Sequence, residues 1–103
     1  MSLKKLRPGM EHLDFITKII KLIGVRNVKT YSGLEHKILV GEMTLEDGII
    51  GFTVWNDAIE FFKNIEADNL VQLKNCFITS YKGVLQVNVG RDSSIIKIEG
   101  EKN

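Results

Sequence analysis

The 103-residue chain alternates apolar and polar residues along most of its length, and that period of two is interrupted once. Between Trp55 and Leu70 the apolar residues Ala58, Phe61, Phe62 and Ile65 fall at i, i+3, i+4 and i+7, the stripe of an amphipathic helix. A run of short strands with one helix at one fixed place has few ways to bury its apolar atoms.

The first strand is expected from about Leu13 to Val28, with Gly24 permitting the bulge or bend by which a strand turns a corner. Ser32-Gly33 is a turn, and Glu35 to Thr44 a second strand. Asp47-Gly48 has the composition of a type I′ hairpin, since both residues tolerate positive φ. In the third strand, Ile49 to Trp55, parity sets Ile50, Phe52 and Val54 on one face and Ile49, Gly51, Thr53 and Trp55 on the other. Asp57 is expected to cap the helix with Glu60 at capping-box spacing, and Phe61 and Phe62 both to enter the core.

A fourth strand follows from Leu70 to Tyr81. Val71 and Leu73 share one parity, whereas Cys76 and Ile78 share the other. One bulge near Lys74-Asn75 reconciles them, and it leaves Phe77, Thr79 and Tyr81 facing outward. Lys82-Gly83 turns into a fifth strand, Val84 to Val89, with Gln86 and Asn88 outward; Ile95, Ile96 and Ile98 are expected to prolong it beyond a Gly90-Arg91-Asp92 loop. Five strands with one helix between the third and fourth describe an all-β OB-fold barrel, here a single domain over residues 1–103, and such barrels bind oligonucleotides or oligosaccharides on one face.

Trp55, Phe77 and Tyr81 all lie at the parity of the polar residues. Large rings on a polar sheet face are an expected binding surface, because a base stacks on an aromatic ring whatever its identity. Phe77 and Tyr81 are separated by about 13 Å of extended strand, which suits splayed bases. The bland alternative is that Trp55 caps the barrel end and that, without the bulge, the other two rings turn inward.

Charge has to be read locally, since fourteen Lys and Arg against thirteen Asp and Glu give no global attraction for phosphate. Arg26 and Lys29 flank the first turn, with Tyr31 beside it; Lys82 and Arg91 occupy later loops, whereas Glu60, Glu66 and Asp68 gather at the helix. Each of these cations read singly is an ordinary solvated charge. No catalytic chemistry is expected. His12, His36 and Cys76 lack metal-ligand spacing, and the sequence holds no Walker loop, G-x-S-x-G elbow or H-E-x-x-H motif, so no cofactor and no metal are expected. A lone cysteine and the lack of any apolar run near 20 residues point to an intracellular, cytoplasmic protein with no membrane partner.

Leu6-Arg7-Pro8-Gly9-Met10, Phe52-Thr53-Val54-Trp55, Asn75-Cys76-Phe77-Ile78-Thr79-Ser80-Tyr81-Lys82-Gly83 and the stretch Gln86 to Arg91 occur in that order. With them the chain resembles the single-OB-fold single-stranded DNA-binding proteins of archaea and the related subunits of eukaryotic DNA-damage sensor complexes. The resemblance implies that Trp55, Phe77 and Tyr81 are base-stacking rings and that Arg26, Thr30 and Tyr31 touch DNA. Lys29, Thr53, Lys82, Asn88 and Arg91 complete the expected contact set. It also implies a role in protecting single strands during replication, recombination and repair, and association with the nucleoid in an archaeal cell.

The sequence departs from the family pattern at Leu45-Glu46-Asp47-Gly48, at the acidic Ile65-Glu66-Ala67-Asp68, and in lacking the C-terminal tail that recruits proteins in many relatives. A minimal form, a trimmed form and partner docking on the barrel itself all fit that last departure. Two other readings stay open: an OB module directed to RNA, where 2′-hydroxyl contacts would decide, and an OB subunit whose aromatic face meets a replication or repair protein.

Overall fold

The computed structural model describes residues 1–98; the polar residues 99–103 lie outside the described residues. Strands β1 (Leu13–Lys29), β2 (Glu35–Leu45), β3 (Gly48–Trp55), β4 (Leu70–Tyr81), β5 (Val84–Val89) and β6 (Ser94–Lys97) are joined with one 3-10 helix, Asn56–Phe62, between β3 and β4. The sheet runs β1-β2-β3-β5-β4, and β4 returns to pair with β1, closing a five-stranded barrel. All neighbours are antiparallel except β3 and β5. This is the OB fold that the strand pattern implies.

Closure needs strands that bend, and two bends are written in the sequence. At Gly24, φ is 153° and the β1–β2 register shifts between Leu22 and Gly24. On β4 the register against β1 shifts between the pairs Leu13–Cys76 and Phe15–Leu73, with Asn75 at φ 59°. That extra residue reverses the strand's parity as expected: Val71 and Leu73 are buried, and so are Cys76 and Ile78. The core is otherwise built from Ile19, Met43, Ile50, Phe52, Val54, Val87 and Val89.

Several local expectations need correction. The residues Ser94 to Lys97 do not prolong β5. They form β6, antiparallel to the first half of β4, because the Gly90–Ser93 turn reverses the chain after Val89. The helix is 3-10, with Trp55 rather than Asp57 at its N-cap and no side-chain cap bond. Successive residues of a 3-10 helix stand about 120° apart, so Phe61 and Phe62 leave it in different directions. Phe62 stacks on Phe52 with ring centroids 5.8 Å apart, while Phe61 is 43% exposed.

The type I′ geometry lies at Lys82 (φ 52°) and Gly83 (φ 80°), not at Asp47-Gly48. Glu46 and Asp47 make that two-residue loop without positive φ. Asp47 is instead used by the N-terminal segment: its carboxylate accepts from the backbone N–H of Leu3 at 2.6 Å and of Lys4 at 3.3 Å, and from Ser2 Oγ at 3.0 Å. The Leu3 N–H is the foremost cause holding the Asp47 carboxyl below the usual carboxylate range. From there the segment sends Leu6 into the core and bonds to β4, Gly9 N–H to the carbonyl of Ile78 and Ile78 N–H to the carbonyl of Met10, each 2.9 Å.

Candidate nucleic-acid interface

Cross-strand register assembles the outer wall of the barrel in rows. Directly paired residues share a face. One row reads Gly24, Val40, Thr53, Asn88, Phe77 across all five strands, and a second reads Arg26, Ile38, Trp55 across β1, β2 and β3. Beside the first row lies Glu42, Gly51, Gln86, Thr79. The bulge at Asn75 puts Phe77 in this surface, and β3 parity puts Trp55 there.

Neither Trp55 nor Phe77 belongs to the core; each is half-buried, and Tyr81 is 70% exposed at the end of β4. Polar side chains hold the wall beneath them. The indole Nε1–H of Trp55 donates to Asn88 Oδ1 at 2.9 Å, and Asn88 Nδ2 donates to Thr79 Oγ1, also at 2.9 Å. Thr53 Oγ1 donates to Gln86 Oε1 at 2.8 Å. Thr53 and Asn88 are therefore on the expected face, yet only 5% and 3% exposed. Their side-chain polar atoms are engaged within the wall, Asn88 with the Trp55 indole and Thr53 with Gln86. Every buried side-chain polar atom among the described residues has a partner, as close packing requires.

Trp55 is steadied on a second side by His36, whose ring lies 5.7 Å away at 86°. Ile38, paired to Trp55 across the strands, is buried but outside the core cluster, so it forms the apolar floor of the wall. His36 and Ile38 share outward parity on β2. Sequence reasoning missed both, because Ile38 and Val40 make that face look apolar until the register is known.

The cations are distributed unevenly. Arg26 stands in the row of Trp55. Arg91 lines two adjoining recesses, one of about 460 Å³ with Trp55, Asn56 and Asp57, the other of about 300 Å³ with Phe77, His12 and Asn75. It thus stands between the two half-buried rings. Lys82 holds its Nζ 5.3 Å from the centroid of Tyr81, a cation–π contact that covers one face of that ring. Lys29, Thr30 and Tyr31 are apart from these residues, at the tip of the β1–β2 hairpin and about 17 Å beyond the Gly24 row. There Tyr31 is fully exposed, and Thr30 closes the turn with Ser32 and Leu34.

Cys76 is buried, and loss of solvation raises its thiol to about 11. No group of three His, Cys, Asp or Glu among the described residues could hold a metal ion. No helix among them is long and apolar enough to cross a membrane.

Comparison with known proteins gives the family and the fold. The model of a family described as "Single-stranded DNA binding protein Ssb-like, OB fold" matches residues 6–97. The single-stranded DNA binding protein Ssb of Saccharolobus solfataricus is 25% identical over 92 residues, 87% of this chain; the chain spans 58% of that relative's length. Among solved structures, the replication factor A related protein of Methanobacterium thermoautotrophicum superposes with a TM-score of 0.77 at 18% identity, over 96% of this chain and 90% of that one. DNA binding domain A of replication protein A from S. cerevisiae gives 0.77 at 16% identity, over 100% and 96%. At these identities the structural likeness is one of fold.

Proposed function

Because the chain belongs to the Ssb-like family of OB-fold single-stranded DNA-binding proteins, a family of binders and not of enzymes, we propose that it binds single-stranded DNA by stacking bases on Trp55, Phe77 and Tyr81. Arg26 and Arg91 take backbone phosphates beside the first two rings. Lys82 does so beside the third, and Lys29, Thr30 and Tyr31 extend the contact along the hairpin. The role is protection of single strands in replication, recombination and repair, which belongs inside the cell beside the chromosome.

The observation that carries this reading is the hydrogen-bonded wall of Thr53, Gln86, Asn88 and Thr79 beneath half-exposed rings. A ring held in place before binding gives up little conformational freedom when a base covers it. Stacking of each base contributes roughly 1–3 kcal/mol and is tolerant of sequence.

Titration of Trp55 fluorescence with a ~12-nucleotide oligo-dT, a length within the OB-fold range, tests it. Strong quenching that persists in excess duplex DNA is expected. A matched oligo-U arm separates DNA from RNA. No loss of Trp55 emission when oligo-dT is added overturns the stacking platform and favours a surface for a protein partner.

A further inference from the structure

The described residues include two asparagines flanking the stacking rings, and both have left-handed backbone. Asn56, φ 50°, follows Trp55; Asn75, φ 59°, lies two residues before Phe77. Outside glycine that conformation is uncommon and costs energy, so its recurrence beside both rings asks what the side chains do. Each asparagine is bonded to one of the chain's two histidines, Asn56 to His36 at 2.9 Å and Asn75 to His12 at 2.8 Å.

The remaining bonds fix which atom faces which. Asn56 Oδ1 accepts the backbone N–H of Lys37 at 3.0 Å, so its NH2 must face His36 Nδ1. An amide nitrogen only donates, hence His36 Nδ1 accepts and the proton of the neutral ring sits on Nε2. Asn75 is the reverse. Its Nδ2 donates to the carbonyl of Asp92 at 3.1 Å, which turns Oδ1 toward His12 Nδ1 and requires a proton there. The backbone of Asn75 is tied as well, its N–H to Asp14 Oδ1 at 2.9 Å and its carbonyl by Ser93 Oγ at 2.7 Å.

We propose that Asn56–His36 and Asn75–His12 are two latches of opposite histidine tautomer that position Trp55 and Phe77 for single-stranded DNA. The first fastens the base of the hairpin arm and the ring edge against Trp55. The second fastens the β4 bulge that turns Phe77 outward. None of the four need touch DNA; they are positioning residues, and this role rests on the stacking reading above.

A proton acts differently on the two. On His36 it sets N–H against NH2 and opens the latch, unless the amide flips and loses Lys37. On His12 it enters at Nε2, 3.7 Å from Glu11 Oε1, and leaves the latch closed. The charged groups about the His36–Asn56 pair are Glu35 and Lys37 on β2, Arg26 and Lys29 on β1, and, lining recesses with Asn56, Asp57 and Glu60 of the helix and Arg91. Around His12 they are Glu11, Asp14, Asp92 and Arg91, with the buried Cys76 thiol.

Nitrogen-15 NMR of the free protein tests the latches without DNA. His36 is expected as the Nε2–H tautomer and His12 as Nδ1–H; Asn56→Asp, which removes the donor, should turn His36 to Nδ1–H. For positioning, Asn56→Gly and Asn75→Gly delete the side chain where glycine accepts the backbone, and each should weaken oligo-dT binding roughly 3- to 10-fold. His36→Gln, whose carbonyl can accept from Asn56, should bind better than His36→Ala. The same tautomer on both rings, or glycine variants that bind as wild type while Trp55→Ala is weakened, overturns the proposal. If Trp55→Ala itself binds as wild type, the stacking reading has failed, and the nitrogen spectra judge the latches separately.

Discussion

The indole N–H of Trp55 on β3 reaches over to the side-chain oxygen of Asn88 on β5, 2.9 Å away, so a half-buried ring of the wall is anchored on one of its most buried polar groups. Asn88→Ala removes that acceptor and also the donor to Thr79. It should cost about 0.5–1.5 kcal/mol of stability, the net worth of an ordinary intramolecular hydrogen bond, since the half-buried indole N–H loses its acceptor while the exposed Thr79 hydroxyl can turn to water. Urea unfolding measures this, and a variant as stable as wild type would mean that water replaces the amide.

Removing the ring itself should act on binding more than on folding. Trp55→Ala is expected to weaken oligo-dT binding by roughly 1–3 kcal/mol, whereas Trp55→Phe keeps a stacking face and loses less. Fluorescence anisotropy of a labelled oligonucleotide reads both variants.

Salt should matter modestly. Arg26, Lys29, Lys82 and Arg91 are the cations of the proposed path, and each phosphate neutralised on a single strand contributes about −0.7 to the log–log slope. A slope no steeper than about −3 is expected from anisotropy across a salt series. A much steeper one would require a phosphate track elsewhere on the barrel.

Gly41 tests the core. A Cβ there would stand 2.5 Å from the carbonyl oxygen of Lys21 and 2.6 Å from Cζ of Phe52, both inside van der Waals contact. Gly41→Ala should destabilise by at least about 1–3 kcal/mol, the usual range for overpacking. Thermal melts with and without oligo-dT would show a lowered midpoint in both.

Acid should release the N-terminal segment. The folded Asp47 carboxyl is held below its ordinary value of 3.8, chiefly by the Leu3 N–H. A lowered folded pKa gives stability that is complete above the unfolded pKa and is lost as pH falls through the folded one. Asp47→Asn should therefore be less stable than wild type near neutrality, with the difference closing below about pH 4 in acid-unfolding curves.

Much of this was legible from residue order. Alternation in β3 and β5, the parity reversal in β4 and the helical stripe before Leu70 were enough for the barrel, because each follows from which face must leave water. Other features depend on neighbours distant in sequence. Asp47 has turn composition, but its carboxylate is used by Leu3 and Lys4, some 44 residues earlier. Phe61 has helical spacing, yet in the 3-10 helix that forms it stays 43% exposed while Phe62 takes the core position. Thr53 and Asn88 have the right parity, and only the packing of Trp55 and Gln86 beside them reveals that they are covered. His36 carries no signal at all until β2 is set in register with Trp55.

The single additional residue at the β4 bulge acts on both faces of the strand. Upstream of it the strand lines the interior with Val71 and Leu73; downstream it offers Phe77 and Tyr81 to the outside while Cys76 and Ile78 go in. Deleting one residue at position 74 or 75 would exchange those roles, turning the rings into the interior and Cys76 and Ile78 toward water. The count of residues from Leu73 to Phe77 therefore governs the interior and, on the proposed reading, the binding face at once.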